Sequence, residues 1–140
     1  MRDAAHPLFI TTLWVLGAVN LGNGAWMLAH AWSWFSWIPG VIDTGDVNAH
    51  FVHDVGVVYA LCGYGFIWCT RNLSIARPVF LGITLFFVGH ALGHVFEILF
   101  GALPLDHWLI DLPLVFAPAL LLCWLAMPAR WRRLTGVAGS

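Results

Sequence analysis

Charged residues are scarce in this sequence, and lysine is absent. Only 9% of the 140 residues are charged, whereas 61% are hydrophobic and the mean hydropathy is +0.84. Soluble domains carry roughly 25% charged residues, so this composition excludes an ordinary soluble domain and indicates an integral membrane protein. All six basic residues are arginines and the net charge is −1, so no basic patch suggests nucleic-acid binding.

Cysteine is also scarce, and its spacing excludes two common uses. Cys62, Cys69 and Cys123 form no C-x-x-C pair, and they lie inside or at the ends of apolar stretches. We therefore interpret them as small buried apolar residues rather than as a disulfide framework or a cysteine-ligated metal site.

Four apolar runs make up most of the chain, at about 8–30, 49–69, 78–101 and 108–127. Each is close to the ~20 residues that cross ~30 Å of hydrocarbon as a helix, and none alternates as a barrel strand does. Short connections make consecutive helices antiparallel neighbours. The sequence therefore predicts a single all-α transmembrane domain over residues 1–140, built as an up-down-up-down bundle of four transmembrane helices.

Glycines recur along one face of three of these runs, which predicts close helix packing. They are Gly17 and Gly24 in the first run, Gly56 and Gly63 in the second, and Gly82, Gly89 and Gly93 in the third.

The arginines predict the orientation of the helices in the membrane. They are Arg2 before the first run, Arg71 and Arg77 between the second and third, and Arg130, Arg132 and Arg133 after the fourth. The positive-inside rule then places both termini and the 70–77 loop in the cytoplasm. We expect a bacterial inner (plasma) membrane, with the 31–48 and 102–107 connections on the periplasmic, outer side. A signal peptide cleaved near Ala29-His30-Ala31 is the less favoured interpretation, because the first run is long for a signal.

The 31–48 connection is rich in tryptophan, with Trp32, Trp34 and Trp37. Tryptophan concentrates at membrane interfaces, so we interpret this loop as an interfacial belt or a short helix on the membrane surface. The alternative is a lid over a site that opens outward.

Titratable side chains lie within or at the edges of three predicted helices, where they are costly and indicate function. They are His50, His53 and Asp54 in the second, His90, His94 and Glu97 in the third, and His107 and Asp111 in the fourth. A rise of 1.5 Å per residue puts Asp54, His94, Glu97 and Asp111 in one layer about 7–12 Å outward of the bilayer centre. We interpret His107 as an interfacial or capping residue at a helix end.

Imidazole and carboxylate together suit transition metals such as Fe, Cu or Zn. We predict a non-haem centre of one or two ions held by His53, Asp54, His94 and Glu97. Further candidate ligands, or hydrogen-bond partners of ligands, are Asp111, His90 and His50. The competing interpretation is a hydrogen-bonded polar cluster that holds the helices in register.

Several functions fit such a centre, and the sequence leaves open whether the protein is an enzyme. The favoured one is a metal-dependent membrane oxidoreductase or other enzyme, or its metal-carrying subunit, acting on an apolar or lipid-like substrate. The alternatives are a metal-ion capture protein or sensor, a haem protein with His53 and His94 or His90 as axial ligands, and a structural subunit of a larger membrane complex or homo-oligomer. Haem is less favoured, because the outer half has no arginine or lysine for its propionates.

Overall fold

The structure is a computed structural model that describes residues 5–136. Arg2, which contributes to the predicted orientation, lies outside the described residues. Within them the chain is helical and has no strand, so the all-α prediction is confirmed. The helices are α1 (Pro7–Ala29), α2 (Ala31–Trp37), α3 (Ala49–Arg71), α4 (Arg77–Leu99), α5 (His107–Ile110), α6 (Ala117–Ala126) and α7 (Pro128–Thr135), with a 3-10 turn at Val41–Thr44 and a π-helical turn at Leu112–Phe116.

Three of these helices, α1, α3 and α4, are long and apolar enough to cross a membrane. A fourth candidate exists if the segment Leu112–Ala126 and α7 together form one span. Those two parts are bent by 78° relative to each other, at a break next to Pro128. Three to four apolar helices are therefore compatible with membrane insertion.

Local chemistry explains where the long helices begin. Pro7 and Pro78 lie in the first turns of α1 and α4, where the missing N–H costs no helical hydrogen bond. Asn48 caps α3, because its Oδ1 accepts a hydrogen bond from the backbone N–H of Phe51 at 3.1 Å. The start of α3, with its polar residues, is thus set by the side chain just before it.

The fourth predicted run is not a single α-helix. Pro113 has no N–H to donate, and the turn around it widens instead of closing regularly. The carbonyl of Asp111 accepts from the N–H groups of both Val115 and Phe116, at 2.8 and 3.1 Å. The run therefore divides into α5, the π-helical turn and α6, and Asp111 lies at the division.

The closest helix pair is α1 with α3, and glycines make it possible. A Cβ added to Gly24 would lie 2.6 Å from the carbonyl oxygen of Gly56, and one added to Gly63 would lie 2.6 Å from the backbone nitrogen of Leu21. The predicted close approach is confirmed for these two helices.

The corresponding prediction for α4 is wrong within the described part of this chain. A Cβ added to Gly82, Gly89 or Gly93 would meet nothing within 4 Å. This glycine face of α4 points away from the other helices, because α4 packs on α3 and α6 through larger side chains.

One core joins all the long segments. Its most completely buried side chains include Leu13 from α1, Phe66 from α3, Phe80 from α4 and Leu122 from α6. This core lies toward the ends of the helices near Arg71 and Arg77. At the opposite ends, where the 30–48 and 100–106 connections lie, a second apolar cluster of Met27, Ala31 and Val52 is buried, and the interior also contains the polar side chains of His107 and Asp111.

Candidate metal centre

Asp111 lies at the centre of a small group of histidines. Its Oδ2 is 2.7 Å from Nδ1 of His94 and 3.0 Å from Nδ1 of His107. The side chain of Asp111 is 5% exposed, that of His107 1% and that of His94 17%. The apolar surroundings thus contain one carboxylate shared by two imidazoles.

The three residues come from separate parts of the fold. His94 lies on α4, while His107 and Asp111 lie one turn apart at the two ends of α5. Residues four apart share a helix face, so α5 presents His107 and Asp111 together. The packing of the 107–116 segment against the last turns of α4 then brings them to His94.

His107 contacts a second carboxylate through its other ring nitrogen. Nε2 lies 3.3 Å from Oδ2 of Asp43, which belongs to the 3-10 turn at Val41–Thr44. Gly40 allows this approach: its φ is +80°, and a Cβ there would lie 2.8 Å from Cε1 of His107. The loop after α2 therefore rests directly on the buried imidazole.

Two carboxylates contact the ring of His107 and favour its protonated form. Burial by itself lowers the pKa of this imidazole, but hydrogen bonds and charge interactions with Asp111 and Asp43 outweigh burial and leave the pKa raised. Each ring nitrogen lies within hydrogen-bond distance of a carboxylate oxygen, and a metal ion bound at Nδ1 would take the place of a proton there.

His94, His107 and Asp111 could together hold a metal ion. Their ligand atoms all lie within 4.8 Å of one another. Of the residues that the sequence predicts as ligands, His94 and Asp111 belong to this group. His90 lies one turn from His94, with ring centroids 4.8 Å apart, and is half-buried beside it.

The structure places the other predicted ligands on the surface of the described chain. His50 and Asp54 lie 3.5 Å apart, with side chains 87% and 65% exposed. His53 and Glu97 are exposed as well. The described residues show no contact between these four side chains and the buried group, so their assignment as ligands stays a prediction.

Sequence reasoning missed two members of the arrangement. The interpretation of His107 as an interfacial or capping residue is wrong, because its ring is buried between two carboxylates. The H-x-x-x-D spacing of His107 and Asp111 was the available signal, since it puts both on one helix face. Asp43 carried no such signal, because its partner lies 64 residues away in the chain.

No protein family, curated protein or solved structure to which the chain was compared matches it. The site's chemistry must therefore be argued from its own geometry.

Proposed function

We propose that this protein is a membrane-embedded metal-binding protein with a non-haem centre formed by His94, His107 and Asp111. The observation that supports this most directly is the buried carboxylate oxygen lying within hydrogen-bond distance of two imidazole nitrogens. Burying a carboxylate in apolar surroundings is costly unless it is paired, and one oxygen shared by two imidazoles is a donor set that transition metals favour.

The spacing of these atoms suits a metal ion. An ion bound at about 2.1 Å from each ligand requires neighbouring ligand atoms about 3.0–3.4 Å apart. The observed separations from Asp111 Oδ2, 2.7 and 3.0 Å, lie near that range. All three ligand atoms lie within 4.8 Å of one another, so rotations of the two imidazole side chains would complete the site around an ion.

The contact between His107 and Asp43 supports the same conclusion. A metal-binding histidine usually donates its second N–H to a carboxylate, which fixes the tautomer and orientation of the ring. His107 has that arrangement, with Nδ1 toward Asp111 and Nε2 toward Asp43.

Three protein ligands leave coordination positions open, which is typical of catalytic rather than structural metal sites. His94 and Asp111 also line a largely apolar cavity. We therefore favour a metal-dependent membrane enzyme, or the metal-carrying subunit of one, acting on an apolar or lipid-like substrate. Fe, Cu and Zn all suit these ligands, as one ion or as part of a pair completed by His90.

The proposed setting is a bacterial inner membrane crossed four times, with both termini cytoplasmic. Arg71 ends α3 and Arg77 begins α4, which puts two positive charges at one end of the helices. Trp32 and Trp37 are exposed near the opposite end, as in an interfacial belt. The metal centre would then face the periplasm, and the lipid bilayer, a second copy or a larger complex would cover the remaining apolar surface.

Elemental analysis combined with an optical spectrum tests the proposal on the full chain, purified in detergent without added metal. We expect about one equivalent of Fe, Cu or Zn, or uptake of that amount when each metal is added separately. Asp111→Asn should lose the metal, while Asp46→Asn, an exposed loop change, should keep it. Absence of metal under all these conditions would contradict the proposal, and a Soret band would favour haem instead. Bound metal without turnover of any apolar substrate would favour a capture protein or sensor.

A further inference from the structure

A cavity of about 370 Å³ lies beside the proposed metal centre. It is lined by α1, α3 and α4, by Trp34 of α2, by residues 38–44 of the loop and by residues 110–122. Its size falls within the ~300–1,000 Å³ range of small-molecule sites in proteins. Most of its wall is apolar, and examples from four segments are Leu16, Val55, Phe87 and Val115.

Several polar groups in the cavity wall have hydrogen-bonding capacity to spare. Tyr59 and His90 line the cavity and pack edge to face, with their ring centroids 6.5 Å apart. Within the described residues, neither side chain makes a hydrogen bond. Asn20 on α1 donates its amide to the carbonyl of Leu16, and no described donor bonds its side-chain oxygen. The described residues contain no buried side-chain polar atom without a partner, so the unbonded atoms of these three groups are open to the cavity, and a molecule in the cavity could bond to them.

These groups also lie close to the metal centre. Tyr59 contacts His90, and His90 contacts His94, whose Nδ1 bonds Asp111. The cavity therefore has a polar end at His90 and His94, a further polar group at Asn20 on α1, and a mainly apolar wall elsewhere. Such a shape suits an apolar molecule with one polar head.

The charges around the cavity determine which polar head group of a ligand could bind there. Among residues 5–136, no arginine or lysine lines the cavity, and the acidic residue in its wall is Asp111. The charge of a divalent ion at the centre would be balanced by the carboxylates of Asp111 and Asp43, so a carboxylate or phosphate head would find no net positive charge there. A neutral hydroxyl or carbonyl oxygen could bond Tyr59 or His90 at no such cost.

We infer that the cavity binds an uncharged lipophilic alcohol or carbonyl compound, with its oxygen between Tyr59 and His94. This inference rests on the proposed function, since the compound would be the substrate of the metal centre. The oxygen would then lie next to the open coordination positions of the ion. The apolar chain would occupy the part of the cavity between α1 and the 110–122 segment.

Photolabelling of the full chain in detergent tests the inference with two probes. Both carry the same short alkyl diazirine, one ending in a primary alcohol and the other in a carboxylate. We expect the alcohol probe to label cavity residues saturably, with competition by octanol and none by octanoate. Equal labelling by both probes would overturn the inferred head group and indicate that the cavity accepts any acyl chain, including those of the bilayer.

Two pairs of variants locate the labelling. Val55→Trp fills the cavity from α3 and should abolish it, whereas Val57→Trp, on the exposed face of the same helix, should not. Tyr59→Phe removes one hydrogen bond and should weaken binding of the alcohol probe about fivefold. Tyr64→Phe is its control, because Tyr64 is 63% exposed. Labelling that survives Val55→Trp and is unchanged by Tyr59→Phe would overturn the site.

Metal content measured on the same preparations separates the two proposals. A preparation that contains bound metal but shows no saturable photolabelling would overturn the inference about the cavity and leave the proposed metal centre intact. Labelling without metal would overturn the metal centre, and with it the assignment of the compound as a substrate.

Discussion

Two groups of histidine and carboxylate side chains lie in this protein, built from the same residue types but placed differently. His50, His53 and Asp54 crowd into five residues of α3, and all three are exposed. His94, His107 and Asp111 are spread over 18 positions and meet around one buried oxygen. Density of titratable residues along a sequence is therefore a poor guide to which of them meet. The way in which the chain folds back on itself decides which of these side chains meet, because it brings separate segments together.

Glycines repeat the same lesson on apolar surfaces. Gly24 on α1 and Gly63 on α3 lie where the backbones of the two helices touch. Gly82 and Gly89 recur on α4 at the same spacing as Gly17 and Gly24 on α1, but they face open space. In both comparisons the same residue types occur once in a packed interior and once on an exposed surface. Substitutions at the two places can therefore be compared for their effect on metal affinity or on stability.

The largest effect should come from the buried carboxylate. Asp111→Asn removes the charge that both imidazoles share while keeping the side chain's size. Changing even a hydrogen-bond partner of a ligand costs 10–100-fold in metal affinity, so losing a ligand should cost roughly 100-fold or more. Isothermal titration calorimetry, with zinc added to the metal-free protein, measures the affinity of the variant and of the parent. An affinity within a factor of about three of the parent would mean that Asp111 is not a ligand.

The next largest effect should appear in stability, at the tight helix pair. Gly24→Ala forces a methyl group to within 2.6 Å of the Gly56 carbonyl, and such overpacking costs about 1–3 kcal/mol. Gly89→Ala adds a methyl group in open space and should be neutral or stabilising by up to about 1 kcal/mol, because alanine favours helix. Thermal unfolding in detergent, followed by tryptophan fluorescence, compares the pair. Equal midpoints for the two variants would contradict the α1–α3 packing.

A smaller effect is expected at the loop carboxylate. Asp43→Asn weakens the hydrogen bond that orients His107 but leaves all three proposed ligands in the chain, and metal affinity should fall about 10-fold. Asp46→Asn changes the same charge in the same loop and should leave affinity unchanged. If both variants behave alike, the contact between Asp43 and His107 has no part in metal binding.

The smallest effect should come from the exposed group on α3. We expect the double variant His53→Ala with Asp54→Ala to keep its metal, since neither side chain contacts the buried group in the described structure. Elemental analysis alongside the Asp111→Asn variant provides the comparison. Loss of metal from the α3 variant would instead support the ligand set predicted from the sequence and would require α3 to turn toward the centre.

The sequence alone determined the helical class and the apolar character of the long helices. A helix satisfies the backbone hydrogen bonds of a long hydrophobic run within the run itself, wherever the run is buried. It also predicted His94 and Asp111 as candidate ligands, because titratable residues in such runs are costly, and both belong to the buried group. Pro113 predicted a kink in the 108–127 run, but the sequence could not show that the run divides at Asp111 into α5, a π-helical turn and α6, or that His107 is buried between two carboxylates. The tertiary structure decided those points. A histidine at a helix end acquires its partners from the loop that packs over it, and here Asp43 approaches from 64 positions away because Gly40 leaves room for the imidazole.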